Sequence, residues 1–392
     1  MSDIAPIVVG VLLDHPGPES PMIGEMRRVV DQAVAAGRLD RDVTFVTEVT
    51  DGLPQGTAAA VTAGFERLVA QDVLIIMGPT ITDNGLVVRD LADEARVPCV
   101  NWTGSDRTRS EWMFHYQIGS LEEEPHLLAN HLEAEGCRRL VLVQDQSPIG
   151  SRYGQFFEDA VARLGLQITA KSLISPVTTD LTAMVDDLRR QETDALVYLG
   201  LGLSAGALGR ALTAADWHPR VVANSALMFG YAYPEWVADW EGWTYVDAWS
   251  EQNPRLRSLL AARSDGDAVF PMTVASGDDM GRLLVEGLAG AETLTRAGVK
   301  EALERVKCLP ATLGTPGTSM GFGQWDRAAL KGGFILLRRW IDGRSVIVDP
   351  LPEGSLLPYL RARRMPTPPR TASPVWGGRP TVKRRCRSPS GG

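Results

Sequence analysis

Cysteine is scarce and unpatterned in this sequence. Of 392 residues only Cys99, Cys137, Cys308 and Cys386 are cysteines. None forms a CxxC and none stands at ligand spacing from a histidine, which excludes a zinc knuckle or a redox dithiol. Reduced, structural thiols are the expectation. Histidine is also thin, with five residues. His126 and His131 lie five apart and do not share a helical face. No GxSxG, HExxH or P-loop pattern occurs, so the nucleophile elbow, the zinc-protease helix and the triphosphate cradle are excluded. No catalytic residue, metal or cofactor is expected. Long apolar runs are missing too: none approaches the roughly 20 residues of a membrane span. The opening "MSDIAPIVVGVLLDHPG" has no basic leader, and its apolar run stops at Asp14. As written, the expected location is cytoplasmic, and a misassigned start or a trimmed chain would return it to the periplasm.

Acidic residues are absent from Arg361 onward, where nine Lys or Arg occur, leaving the first 360 residues with a net charge of −17. An acidic body lacks the basic surface that phosphate neutralisation needs, so no nucleic-acid partner is expected. From about Pro352 the chain is rich in Pro, Arg, Ser and Gly and without periodicity, which predicts a disordered basic tail over 352–392.

What is present is an alternation. Apolar runs Ile7–Leu13, Val43–Val49 and Val73–Gly78 each precede a helical pattern, near Met22–Ala36, Thr57–Ala70 and Asp83–Ala95. "VPCVNW" and Phe114–Gly119 follow. The alternation restarts at Arg139–Asp145 with a helix near Ser151–Leu164, and continues through "LQITAKSLI", Ala195–Gly200 and "RVVANSA". Continuous apolar strands are buried on both faces, so the fold class is α/β with parallel sheets, and two βα series predict two lobes. Pro254–Lys307 reads as mainly helical, and Met320–Val348 as hairpin material turning at Asp342–Gly343.

Four features could carry chemistry. Gly200, Gly202 and Gly206 follow a strand and open a helix, as in a dinucleotide fingerprint, but the next strand ends in Asn224 and Ser225 without an acidic ribose partner, so a tight turn is the better reading. Asp14 and His15 follow the first strand and predict a polar turn. Trp236, Trp240, Trp243, Tyr245 and Trp249 cluster, as an aromatic core or as a wall for a flat ligand. The fourth is a pair of hydroxyl-rich strand ends, "GPTITDN" and "NWTGSD". Open α/β sheets bind ligands beyond the carboxyl ends of their strands. Thr82 could offer its hydroxyl and the first free N–H groups of its helix to an oxygen, or merely cap that helix.

In order and texture the chain resembles the type I periplasmic binding proteins, in particular the branched-chain amino acid and amide receptors of ABC transporters. The resemblance covers Ile7 to Val348 and rests on "GPTITDN…LADEARVPCVNWTGSD", "VQDQSPIGSRYGQFFEDAV", "TDALVYLGLGLSAGALGRAL" and "GFGQWDRAALKGGFILLRRWIDG". It implies two Rossmann-like lobes joined by three crossovers and closing over a ligand by hinge motion. Lobe one would comprise 1–119 plus 247–323, and lobe two 120–246 plus 324–351. It implies no enzyme but a solute receptor with an ABC permease as partner, or a cytosolic sensor of the amide-regulator kind. A dinucleotide-dependent oxidoreductase is the remote alternative. By position the ligand's oxygen end falls to Thr82, Thr103, Gly104 and Ser105, with Thr80, Ile81 and Trp102 beside them. In lobe two the family's tyrosine is replaced by Ile149 and Gly150, with Tyr153 a turn later, and a second aromatic by Leu201 or Gly202. The acid that pairs an amino acid's ammonium is replaced by Ser225 and Ala226. An unpaired buried ammonium costs several kcal/mol, so the implied ligand is neutral or acidic, with an apolar, aromatic or amide body.

Overall fold

The computed structural model describes residues 5–15, 20–263 and 270–348. Cys386 and the tail predicted over 352–392 lie outside them. The chain is mixed α/β and forms two lobes. The first is built on a five-stranded sheet in the order β2-β1-β3-β4-β5. Its strands are β1 (Ile7–Leu13), β2 (Val43–Val49), β3 (Ile75–Met77), β4 (Cys99–Asn101) and β5 (Met113–His115), and all its pairings are parallel. α1 (Pro21–Ala35), α2 (Ala58–Ala70) and α3 (Thr82–Ala95) connect them. The predicted strands over Val73–Gly78 and Phe114–Gly119 are shorter in the structure: β3 starts only at Ile75, and β3 and β5 end at Met77 and His115, where the chain leaves the sheet at its carboxyl edge.

The second sheet runs β15-β14-β10-β9-β8-β6-β7. α4 (Glu124–Ala134) leads into it. β6 (Arg139–Asp145), β7 (Gln167–Ile174), β8 (Ala195–Leu199), β9 (Arg220–Ala223) and β10 (Thr244–Asp247) pair in parallel, with α5 (Pro148–Leu164), α6 (Thr182–Leu188) and α7 (Ala205–Ala214) between them. The chain then passes through α8 (Pro254–Ala261), α9 (Pro271–Ala289) and α10 (Arg296–Arg305). The short strands β11 (Leu309–Pro310), β12 (Ser319–Met320) and β13 (Leu330–Lys331) form a third, small sheet, bridged to the first by His115 and Ala328. β14 (Leu336–Ile341) and β15 (Arg344–Ile347) finally return to the second sheet as an antiparallel hairpin. Asp342 and Gly343 both take positive φ at its turn, as an Asp-Gly hairpin signal requires. The chain therefore crosses between the lobes three times.

The tryptophan cluster is core. Trp236 and Trp240 lie on a 3-10 segment, Pro234–Trp240, rather than on an α-helix. Trp240, Trp243, Tyr245, Trp249 and Trp340 are all buried, and Tyr245 stacks on Trp340 at 5.6 Å. Beside them Arg338 of β14 is fully buried, 3.5 Å over the Trp249 ring. It donates to Trp249 O, to the Glu251 carboxylate and to Ser345 Oγ and O. One guanidinium thus ties the second sheet to the segment leaving it. Removing it leaves the Trp249 and Ser345 carbonyl groups without this donor, while the exposed Glu251 carboxylate returns to water. Arg338→Met is expected to cost about 1–3 kcal/mol in urea denaturation with an unchanged m value. A cost below about 0.5 kcal/mol would show that the crossing is held by other contacts.

Candidate ligand site

Asp14 stands at the carboxyl end of β1 with its side chain fully buried. One carboxylate oxygen accepts from Thr80 N at 2.9 Å and Thr80 Oγ1 at 2.7 Å, the other from Ile81 N and Asn84 Nδ2, each at 2.8 Å. The loop after β3 is thereby pinned to β1. Gly78 enters that loop at φ +116°, and a Cβ there would lie 2.2 Å from Leu12 O, so only glycine lets the chain cross. Thr82 opens α3 but does not cap it: the N-cap residue is Ile81, and no side chain caps the helix. Gly104 N instead donates to Thr82 Oγ1 at 3.3 Å, linking the two hydroxyl loops that sequence placed on one rim.

The second loop is largely occupied by its own lobe. Thr103 Oγ1 donates to Asn101 Oδ1 at 2.9 Å and lies 3.0 Å from Thr108 Oγ1. Ser105 caps the 3-10 turn Asp106–Thr108, accepting from Arg107 N, and its hydroxyl donates to Glu122 Oε1 at 3.3 Å. Arg152 of α5 donates to the same oxygen at 3.4 Å. Glu122 therefore joins the lobe-one loop to lobe two. Burial and the neighbouring Asp106 carboxylate raise its pKa to about 7.

Lobe two repeats the device of Asp14. Asp145 ends β6, fully buried, and accepts from Leu201 N at 2.6 Å, Ser204 Oγ at 3.2 Å and Tyr198 OH at 3.3 Å. A Cβ on Gly200 would lie 2.2 Å from this carboxylate, while Gly202 takes φ +110°. The Gly200–Gly206 loop thus wraps a carboxylate of the protein itself, and that acid takes the Leu201 N–H. Ile149 and Tyr153 are buried on the first turns of α5. Ser225 follows β9, and here sequence reasoning missed a residue. Glu124, fully buried at the start of α4, accepts from Ser225 N at 2.7 Å, Ser225 Oγ at 3.0 Å, Ser120 N at 2.6 Å and Tyr153 OH at 3.2 Å. A carboxylate does reach the Ser225 position, supplied 101 residues upstream. Burial raises it to about 7, against those hydrogen bonds. Its signal was the run Glu122–Glu124, which reads as ordinary acidic residues at a helix start.

A cavity of about 160 Å³ opens next to these loops, lined by Leu13, His15, Ser20, Met22, Thr80, Trp102, Ile118, Met272 and Thr273. Its walls are mainly apolar, and none of these lining residues is Asp, Glu, Lys or Arg. The volume matches the roughly 150 Å³ that holds one benzene-sized ring. Of the residues predicted from sequence, Thr80 and Trp102 line it. Gly104, whose N–H donates to Thr82, meets Tyr153 and Leu121 at the seam between lobes, where a Cβ on it would lie 2.4 Å from Leu121 Cδ1 and 3.9 Å from the Tyr153 hydroxyl. Ile81 packs against the lobe-two core that contains Ile149 and Tyr153, as does Leu201. Thr103 is held inside its own lobe, and Gly202 packs against Ala226 and Phe229. Among the described residues no group of three His, Cys, Asp or Glu could hold a metal ion.

A family model described as "Periplasmic binding protein" matches residues 6–330. No curated protein matches the chain at a significant level. Solved structures do. A periplasmic binding protein type 1 from Bordetella pertussis Tohama I is 17% identical, with a TM-score of 0.75 over 88% of this chain and 100% of that one. The branched-chain amino acid transporter substrate-binding protein LivJ from Streptococcus pneumoniae, in complex with isoleucine, has the same identity, TM-score and coverage. A solute-binding protein of an ABC transporter from R. palustris, in complex with 4-hydroxybenzoate, is 17% identical, with a TM-score of 0.72 over 88% and 96%.

Two measurements test this geometry. Asp14→Ala leaves two loop N–H groups unpaired and is expected to lower unfolding free energy by about 2–4 kcal/mol. An unchanged denaturation midpoint would show the loop to be held without it. Asp83, buried in the first turn of α3, has one carboxylate oxygen without a partner, and desolvation raises its pKa to about 6. This lies above the unfolded value near 3.9, so the ionised form burdens the native state above pH 6 and the burden lifts as pH falls toward 4. Asp83→Asn should therefore be more stable than the parent by about 1–3 kcal/mol at pH 8 and equal to it below pH 4. A pH-independent difference would assign the effect to packing instead.

Proposed function

Because the chain belongs to the periplasmic binding protein family, we propose that it is a solute-binding protein that closes two lobes over a small organic ligand, as the receptor component of an ABC-type uptake system. That role puts it outside the cytoplasmic membrane, with a permease as its partner. The proposed lobes are 1–119 plus 247–323 and 120–246 plus 324–351. The pairing of β13 to β12 favours a third crossing at 332–335 over the 323/324 boundary.

The single observation that carries the reading is the convergence of strand-end loops from both sheets on one seam. Thr82 and Gly104 come from lobe one, Tyr153 and Ser225 from lobe two, and an apolar cavity lies alongside. We assign the ligand's oxygen end to Thr82 with the backbone of Thr103–Ser105. Its body goes to Trp102, Thr80 and the cavity, with Ile81, Ile149, Leu201 and Gly202 as flanking surface. The ligand is neutral or acidic, with an aromatic or amide body. Three features support this: the apolar cavity, whose volume suits one ring; Glu124, which already accepts from four donors of the chain itself; and the likeness to a receptor solved with 4-hydroxybenzoate.

The test is a thermal-shift screen of amides, ureas, aromatic acids and amino acids. A ligand at 100-fold over its Kd stabilises by about 2.7 kcal/mol. A hit among the neutral or acidic compounds, weakened about tenfold by Thr82→Ala, is the expected result. Stabilisation by NAD(P)H alone would overturn the receptor reading in favour of a dinucleotide enzyme.

A further inference from the structure

Glu124 is surrounded by four donors, and two of them cannot turn. The Ser120 and Ser225 N–H groups are fixed by the backbone, while the Ser225 and Tyr153 hydroxyls each have one proton to give. The two hydroxyls also lie 3.3 Å from each other. With Glu124 ionised, each proton therefore goes to the carboxylate or to the neighbouring hydroxyl that donates to it. Both protons are held inside the cluster, and the hydroxyl oxygens keep only lone pairs for anything else. The Tyr153 oxygen faces lobe one, 3.9 Å from where a Cβ on Gly104 would stand. On that side the polarity is reversed: Thr82 Oγ1 already accepts from Gly104 N, so its own proton is available to donate. The seam thus has a donating wall on lobe one and an accepting wall on lobe two.

Building on the receptor reading, we infer that Glu124 fixes the Tyr153 and Ser225 hydroxyls as acceptors, so that the ligand must present an N–H or O–H donor to lobe two while its acceptor oxygen faces Thr82. Primary amides and hydroxy-substituted acids have this pattern; esters, ethers and tertiary amides do not. Glu124 is a positioning residue, because it acts through the two hydroxyls. The groups that hydrogen-bond it are Ser120 from the turn before α4, Tyr153 from α5 and Ser225 from the turn after β9, all uncharged. On protonation Glu124 itself needs an acceptor, which only a hydroxyl can supply, so one of the two turns its proton outward. Burial places this change near pH 7, so preference for a donor weakens as pH falls from 8 to 6.

Isothermal titration of the full chain with matched pairs tests this: benzamide against N,N-dimethylbenzamide, isobutyramide against its dimethyl amide, and 4-hydroxybenzoate against 4-methoxybenzoate. At pH 8 the donor-bearing member should bind about tenfold tighter or more, the worth of one hydrogen bond. The ratio should fall toward one in Tyr153→Phe and in Ser225→Ala, which retains the N–H to Glu124, and it should shrink at pH 6 in the parent. Equal affinities within the pairs, or a ratio indifferent to both variants and to pH, would overturn the inference and leave the receptor reading standing. If nothing in the wider thermal-shift screen stabilises the chain, the receptor reading falls and takes the inference with it.

Discussion

Each of the two large sheets carries a buried carboxylate at the carboxyl end of its first strand, and the candidate site depends on that pair. A parallel α/β sheet leaves its strand-end loops free to wander over the rim where ligands bind. Asp14 and Asp145 remove that freedom. Each accepts a backbone N–H from the loop two strands along in sequence, Asp14 from the loop after β3 and Asp145 from the loop after β8. A carboxylate offers about four acceptor sites, so one residue can hold several donors that would otherwise be orphaned at a loop and helix start. The glycines follow from this. Gly78 and Gly200 are the points where the pinned loops pass closest to the strand or the carboxylate, and no side chain fits at either.

The two lobes are also joined by side chains that work across the crossings. Arg338 reaches Trp249 and Glu251, and Asp247 accepts from Tyr231 at 2.6 Å and Tyr245 at 3.3 Å, inside the aromatic block. Glu122 does the same near the first crossing, between Ser105 and Arg152. Hinge motion in such an architecture changes backbone angles at the crossings and leaves the packed sheets intact. In the aromatic block Trp240 Nε1, Trp249 Nε1 and the Tyr231 and Tyr245 hydroxyls are hydrogen-bonded, and among its described residues only the buried Trp340 Nε1 lacks a partner. The block is the rigid part against which a crossing segment can bend.

Secondary structure and fold class were legible because buried parallel strands write themselves as continuous apolar runs. "RLVLVQD" and "ALVYLG" need no context to be read that way. The rim was legible for a related reason: a hydroxyl loop after a strand is a local pattern. Side-chain direction was not. Thr82 reads equally as a helix cap and as a rim group, and only the tertiary contact with Gly104 N distinguishes them. Thr103 and Ser105 sit one and three residues past Trp102, yet their hydroxyls are committed to Asn101, Thr108 and Glu122. The glycine loop read as a possible phosphate cradle because Asp145, 55 residues upstream of Gly200, is invisible to a local motif.

Glu124 shows the same limit at its most consequential. A search for an ammonium partner near Ser225 finds no acid between Val221 and Gly230, and a carboxylate nevertheless lies 2.7 Å from Ser225 N. Proximity alone does not make it an ammonium site. This carboxylate already accepts from two fixed N–H groups and two hydroxyls, and displacing any of the four would leave a buried donor unpaired at about 1–3 kcal/mol. Desolvation further disfavours its charge. The absence of a local acid thus pointed to a neutral or acidic ligand for an incomplete reason. For the proposed ligand the fuller reason is that the acid is present, buried, and already accepting from four donors of the chain.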